Sequence, residues 1–443
     1  MEIPAYLLSY GSDWLNLLLR WLHIITGIAW IGASFYFVWL DNHIRAPKPG
    51  SPLAKLGVAG ELWAVHGGGF YNPQKYLVAP PELPGELHWF KWEAYSTWLS
   101  GFALLSVAYY FQPQAMLILP GIALSNAAAI ALGLASLLAA WLVYDLLCKS
   151  PLGQQPLLFG FTVYLLLVAA AFGLSHWFSG RATYIHVGAM IGTIMVGNVF
   201  FVIIPGQRKL VAALSARETP DPVHGQRAKQ RSVHNNYFTL PVLLIMISNH
   251  YAMTYSHRYS YVVLALLMAA GVLIRHFFNL RHQGKIRPAY PLAGVALLLV
   301  TIWMLAPAPA PALVAVTASA AAANTRNPGN SSGNGAGNRA NNDGGIAAAG
   351  NGLTANPASF IQVHAIIERR CSSCHAAHPA FTGFAAPPAG VMLENAAQIK
   401  QQAQKIYLQA VQTRAMPLGN LTHITDAERA AIGAWFQAGA PIQ

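Results

Sequence analysis

The sequence predicts an all-α protein, a polytopic domain of eight membrane-spanning helices followed by a small helical domain outside the membrane. Three observations carry that expectation. Of 443 residues, 55% are apolar and only 9% are charged, where a soluble domain carries about 25% charged residues. Eight apolar runs approach the ~20 residues that cross a ~30 Å hydrocarbon layer at ~1.5 Å per residue. After residue 310 the composition changes abruptly, first to Pro and Ala and then to Asn and Gly.

The runs lie near residues 14–40, 94–111, 117–148, 157–178, 182–204, 237–257, 259–280 and 290–308. The first is expected to stay as a helix rather than be cleaved as a signal peptide. The residues before it hold Glu2 and Asp13 but no Lys or Arg, and the run is too long. Lys and Arg then fix the orientation. The loops at 41–93, 149–156, 205–236 and 281–289 hold 15 of them, whereas the alternate set holds only Arg181 and Arg258. By the positive-inside rule the N-terminus and the C-terminal domain both lie outside, which in a bacterial inner membrane is the periplasm. The net charge of +12 is explained by this sidedness. No basic stripe along one helix suggests nucleic acid.

Residues 1–310 are thus expected to form the membrane domain, 311–355 a linker and 356–443 the terminal domain. Within 324–352, eight Asn and eight Gly make up more than half of the residues, so the segment cannot bury a core. It reads as a flexible tether whose ~30 residues span roughly 30 Å root-mean-square. The terminal domain is small enough to need a staple.

That staple is Cys371-Ser372-Ser373-Cys374-His375. Two thiols at this spacing can add across the vinyl groups of a haem while the following imidazole reaches the iron, the c-type attachment pattern. A redox CxxC or half of a zinc site is the competing reading, but the chain has no second Cys pair and no βαβ pattern around the motif. One covalent haem c is expected on Cys371 and Cys374, with His375 as one axial ligand. Met416, in Arg414-Ala415-Met416-Pro417, is the favoured thioether for the other side, and Met392 is the alternative that would otherwise fill the core. Thr425-Asp426-Ala427-Glu428 reads as a capping box opening a last helix with Ile432, Trp435 and Phe436 on its apolar side. Together these make a small class I cytochrome c domain.

Ionisable residues inside spans are functional candidates by default. His23, His176, His186 and His250 fall in the outer half of the expected bilayer and His276 toward the inner side. Each alone is an ordinary interhelical hydrogen-bonding residue. Their shared depth beneath a haem domain raises a second possibility, a non-covalent haem b held by His23 and His186. The pattern His23-x3-Gly27-x2-Trp30-Ile31-Gly32 would clear space for a flat ligand, or equally for a packed helix. Gly197-x2-Phe200-Phe201 resembles Gly32-x2-Phe35-Tyr36 and hints at an internal duplication. Cys148, a lone thiol near a helix end, is assigned no role.

Two segments are more polar and aromatic than a loop requires: 88–95, His88-Trp89-Phe90-Lys91-Trp92-Glu93-Ala94-Tyr95, and 231–237, Arg231-Ser232-Val233-His234-Asn235-Asn236-Tyr237. Interfacial Trp, Tyr, Lys and Arg are ordinarily membrane anchors. The clustering of amide, imidazole and cationic donors also suits a planar anionic heterocycle.

At these segments the chain resembles the membrane-bound, cytochrome-c-type urate oxidase (urate hydroxylase) family of bacteria. The resemblance runs through Trp89-Phe90-Lys91-Trp92-Glu93-Ala94-Tyr95, His234-Asn235-Asn236-Tyr237-x-Thr239-Leu240-Pro241, the CxxCH motif and Met416-Pro417-x-Gly419-Asn420-x-Thr422, nearly the whole length. It implies oxidation of urate to 5-hydroxyisourate in purine catabolism, with electrons leaving through haem c to a periplasmic cytochrome c or a terminal oxidase. The Asn/Gly tether departs from the family pattern. His234, Asn235 and Asn236 are the expected substrate contacts or proton handlers. Urate arriving from the cytoplasm would need its electrons carried across most of the apolar layer, a distance an intramembrane haem would divide. The competing readings are a membrane-anchored cytochrome c carrier, a dehydrogenase acting on a quinol or another small molecule, and a transporter fused to a redox sensor.

Overall fold

The computed structural model describes residues 5–76, 80–119, 121–306, 359–381 and 387–442. Eight long helices occupy the positions of the eight apolar runs. They are α1 (Ala5–His43), α2 (Trp92–Leu105, continued by a π turn at Ser106–Tyr110), α3 (Asn126–Lys149) and α4 (Pro156–Leu174). The others are α5 (Gly180–Gly197), α6 (Pro222–Ser248), α7 (Ser260–His282) and α8 (Ala289–Met304). A π turn at Asn198–Ile203 and a further helical stretch at Ile204–Ser215 extend α5. Among the described residues, five helical stretches are both long and apolar enough to cross a membrane: Trp14–His43, Asn126–Lys149, Pro156–Leu174, Gly180–Ser215 and Ser260–His282.

Capping chemistry moves several boundaries away from the hydropathy limits. The Ser125 hydroxyl accepts from the Ala128 amide at 3.2 Å and starts α3 there, so 117–119 and 121–125 are loop rather than helix. The Asp221 carboxylate caps α6 through the Val223 amide at 2.8 Å, with Pro222 at the first helical position. As a result α6 begins well before its apolar run and carries a polar first half. Pro241 lies inside α6.

The all-α expectation needs one correction. Residues 58–76 form four short strands, β1 (Val58–Glu61), β2 (Ala64–His66), β3 (Gly69–Tyr71) and β4 (Gln74–Tyr76). β2 and β3 pair antiparallel with His66 opposite Gly69, and β1 pairs antiparallel with β4. The two connecting residues, Gly67 and Gly68, have φ of 57° and 80°. A two-residue hairpin turn of this hand requires positive φ at both positions, which glycine adopts without penalty.

Helix α5 is central, packed by α3 on one side and α6 on another, while α1 pairs with α2 and α7 with α8. The core runs along these seams through Leu137, Trp141, Phe159, Ile191, Ile194 and Leu264. Gly197 allows a close approach between α5 and α3, because a Cβ there would lie 2.5 Å from the Trp141 ring. Nothing stands within 4 Å of a Cβ on Gly32. The likeness between Gly32-x2-Phe35 and Gly197-x2-Phe200 is therefore not repeated in packing. Trp21, Ile28, Leu157 and Trp303 are exposed on the outside of the bundle, as expected of side chains that meet lipid.

The C-terminal domain builds its own core. Helix α9 (Phe360–Arg370) crosses α11 (Asp426–Gln437), with α10 (Ala396–Gln401) completing the layer. Val363, Ile367, Ile399, Ile432 and Trp435 are fully buried among them. The expected capping box is present: Thr425 Oγ1 accepts from the Glu428 amide at 3.2 Å, and Glu428 Oε2 accepts from the Thr425 amide at 2.8 Å. The linker 311–355 falls outside the described residues.

Candidate functional site

The polar first half of α6 turns its side chains into two hydrogen-bonded ensembles. Arg231, His234 and Asn235 share one face at helical spacing. Arg231 donates from Nη2 to Asp145 Oδ1 at 2.7 Å and from Nη1 to Asn198 Oδ1 at 3.1 Å, with its guanidinium 5.1 Å from the Tyr144 ring centroid. Asn198 Nδ2 donates to Asn235 Oδ1 at 2.8 Å and to the Tyr144 hydroxyl at 3.0 Å. Asn235 Nδ2 donates to the Met195 carbonyl at 3.0 Å. A buried cation is held only when such partners replace water.

The Tyr144 oxygen lies 2.8 Å from His234 Nδ1. Because that oxygen already accepts from Asn198, the arrangement that satisfies every group has the phenol donating to Nδ1. The His234 ring stacks on Phe159 at 4.6 Å, and Cys148 Sγ stands 3.9 Å from the same nitrogen. Asn236 faces the other way, donating to Asn279 Oδ1 at 3.0 Å and accepting from Arg275 Nε. His234, Asn235 and Asn236 are thus brought into one region, though Asn236 belongs to a separate network on α7.

Hydropathy reading passed over Asp145, Asn198, Tyr144 and Arg275. The signal for two of them was legible, since Asp145 and Arg275 lie inside apolar runs where a charge demands a reason. On the neighbouring α2, one oxygen of Glu93, Oε2, is buried without a hydrogen-bond partner. Ala94 beside it packs on Val199 and Ile204, and Tyr95 meets Phe200 at 5.4 Å. The π turn of α5 therefore lies between the Glu93 segment and the Arg231 network.

A second ensemble occupies the opposite ends of α3 and α5. His186 is fully buried, with Nδ1 2.8 Å from the Ala182 carbonyl and Nε2 3.0 Å from the Tyr110 hydroxyl. A carbonyl can only accept, so Nδ1 carries the hydrogen and bare Nε2 accepts from Tyr110. Nearby, Tyr109 Oη and Arg181 Nε both donate to Asn249 Oδ1, at 3.0 and 3.1 Å.

His23 and His186, the pair expected to hold a haem b, meet α2 at two different levels. His23 Nδ1 sits 3.0 Å from the Thr97 carbonyl, and its ring lies against Gly101. His186 meets Tyr110, nine residues further along the same helix and roughly 14 Å away by helical rise. Both nitrogens of His186 are engaged by protein. His176 and His250 are exposed at helix ends, and His276 Nδ1 lies 2.7 Å from the Tyr237 hydroxyl. No group of three or more His, Cys, Asp or Glu side chains arranged to hold a metal ion occurs among the described residues.

In the C-terminal domain Cys371 and Cys374 are free of disulfide. Burial pushes the Cys371 thiol up to about 12 and raises that of Cys374 too. A redox-active CxxC needs a shift in the other direction. His375 Nδ1 donates to the Val391 carbonyl at 2.9 Å. That bond fixes the tautomer and leaves Nε2 with the lone pair a metal needs, the usual support for a ligating histidine. Arg429 donates to the Met416 carbonyl at 2.8 Å and holds the Met416 segment to α11. Two thiols, an imidazole with free Nε2 and a thioether form a donor set that fits a c-type haem.

This domain contacts the membrane helices through one loop. Leu418–Asn420 packs on the helical turn Pro113–Met116 that follows the π turn of α2. Between them lies a cleft of about 290 Å³ lined by Phe111, Gln112, Asn126, Phe381 and Leu421 among others. A second cavity of about 450 Å³ lies between α3, α4 and α5, almost wholly apolar, with Tyr144 and Trp177 among its lining residues.

Comparison with known proteins adds one finding. The family model described as urate oxidase N-terminal matches residues 9–306, well over half of the chain and the whole of the helical bundle. No curated protein and no solved structure matches it.

Proposed function

Because the chain belongs to the urate oxidase N-terminal family, we propose that it is an eight-span membrane oxidoreductase that converts urate to 5-hydroxyisourate and passes the electrons to a haem c in its own periplasmic domain. The observation that carries this reading is the family match across the entire bundle, which gives eight helices a purpose beyond anchoring a carrier. The reaction adds the oxygen of one water to urate and releases two electrons and two protons.

The inner polar region suits that chemistry. Urate is a planar anion at neutral pH, and Arg231 supplies a buried cation while Asn198 and Asn235 supply amides. The unpartnered Glu93 oxygen is an acceptor available to a urate N–H or to a proton released on water attack. His234 is a second proton acceptor once Tyr144 turns away. Cys371 and Cys374 would hold the haem by thioether bonds, with His375 and Met416 as axial ligands; when bound it supplies a one-electron acceptor. A periplasmic cytochrome c or a terminal oxidase would relieve it.

The test is anaerobic addition of urate to the purified full-length protein while the c-type absorption band is followed. Reduction of the band is the expected result, and a band that stays oxidised rules the reading out. A second reading, oxidation of a membrane-dissolved quinol, is favoured by the apolar cavity that reaches Tyr144. Reduction by a quinol and not by urate would select it.

A further inference from the structure

We infer that Tyr144–His234 and Tyr110–His186 are two stations of an electron relay, each a phenol hydrogen-bonded to a bare imidazole nitrogen, that connects the inner polar region to the face where the C-terminal domain docks. The inference rests on the proposed function for its donor and acceptor, and on geometry for its route.

The problem it answers is distance. The Arg231 and Asp145 cluster lies near the Lys149 end of α3, while the docked loop meets the helical turn beside the opposite end of that helix. Those ends are separated by most of a ~30 Å layer. The two tyrosines divide that distance. Gly133 of α3 lies directly against the outer pair, since a Cβ there would stand 2.7 Å from Tyr110 Oη and 2.8 Å from His186 Nε2. From Gly133 to Tyr144 along α3 is eleven residues, roughly 17 Å by helical rise. Trp141, with its ring centroid 6.2 Å from that of Tyr144, fills the first turn of that interval. Tyr110 in turn is three residues from Pro113, where the turn that receives Gly419 begins.

The hydrogen bonds make the phenols usable. A phenol gives up an electron readily only if its proton leaves at the same time, and a lone-pair nitrogen at hydrogen-bond distance accepts that proton without a conformational change. His186 is fully buried, so the proton it accepts is held next to the Tyr110 oxygen it left. In each cycle Tyr110 passes one electron to the oxidised acceptor in the C-terminal domain, and its proton shifts to His186 Nε2. An electron from Tyr144 then restores Tyr110 as the proton moves back. Tyr144 shuttles its own proton with His234 Nδ1 in the same way and is restored by an electron from urate. Two passes consume one urate, and both pairs end unchanged.

The experiment uses the full-length protein in nanodiscs. Under anaerobic stopped flow, Tyr110→Phe and Tyr144→Phe are each expected to slow reduction of the c-type band by urate at least about tenfold. Direct reduction of the same band by ascorbate should keep its wild-type rate. Difluorotyrosine placed at position 110 perturbs the phenol without removing it, and should also change the rate if either Phe variant fails to fold. The readout independent of turnover is electron paramagnetic resonance after one-electron photo-oxidation. A tyrosyl signal that narrows with deuterated tyrosine and is lost in the double Phe variant supports the relay. Wild-type rates in both single variants, or a wild-type protein without a tyrosyl signal, overturn it. If urate fails to reduce even the wild-type protein, the proposed reaction falls, while the photo-oxidation result still decides the relay.

Discussion

Gly419 of the C-terminal domain lies against the backbone of the membrane domain, where a Cβ would stand 3.0 Å from the Ala115 carbonyl oxygen and 3.1 Å from that of Gln114. Its φ of 55° suits glycine as well. The two halves of a chain joined by a long Asn/Gly tether thus meet at a point where any side chain would press on backbone oxygens.

Gly419→Val is expected to free the domain from this contact. Gly390 provides the control, since it also has positive φ, 66°, but nothing within 4 Å of its would-be Cβ. Both variants carry the strain of a side chain at positive φ, about 1 kcal/mol. Only Gly419→Val should slow urate-driven reduction of the c-type band and lower chemical cross-linking between the domains. Equal behaviour of the two variants would show that the contact has no part in transfer.

Asp145 and Arg231 should behave as a coupled pair in thermal unfolding. Asp145→Asn leaves a buried guanidinium without its counter-ion, at a cost of about 3–5 kcal/mol. The double variant Asp145→Asn with Arg231→Met should recover part of that loss. Additive losses would mean that the 2.7 Å contact carries no coupling.

Glu93→Gln tests the unpartnered oxygen. If Oε2 accepts a proton or a urate N–H, turnover should fall by about 10²-fold or more, the size expected for loss of a general base. Stability should change little, because Oε2 has no hydrogen bond to lose. Unchanged turnover would remove Glu93 from the mechanism.

Acid should loosen the C-terminal domain through Glu428. Burial pushes its carboxyl up, but the Thr425 amide and the Arg370 guanidinium outweigh it and hold it below the ordinary 4.5. A carboxyl lowered in the folded state contributes stability that is complete above 4.5 and is lost as pH falls through the lower folded value. Glu428→Gln should therefore flatten the acid limb of an unfolding curve followed by near-ultraviolet circular dichroism. An identical limb would contradict the assignment.

A pyridine haemochrome assay on the whole protein should find one c-type haem and no extractable b-type haem. Cys371→Ala with Cys374→Ala should abolish the covalent species. A second, extractable haem would point to His23 and His186, the pair the sequence suggests for it.

Periodicity and composition made much legible. The eight apolar runs, the break after residue 310, the capping box at Thr425 and the Cys371–His375 motif all depend on residues near one another in the chain, and helices form from such local patterns. Their ends moved where single hydrogen bonds from Ser125 and Asp221 decided them. The ribbon at 58–76 was missed because its signal was a glycine pair rather than an apolar alternation.

The sequence by itself determined which segments are apolar helices, where the Cys371–His375 motif stands, and that α6 opens with Arg231, His234, Asn235 and Asn236. Only the tertiary structure decided what those residues face. It set His23 and His186 at separate levels of α2, joined Arg231 to Asp145 across 86 positions of chain, and gave each of His186, His234 and His276 a tyrosine. The physical reason is that a helix fixes the angular position of a side chain but not its neighbour. Partner identity comes from the crossing of helices, which small residues such as Gly101, Gly133 and Gly197 permit at one height and bulkier side chains forbid at another.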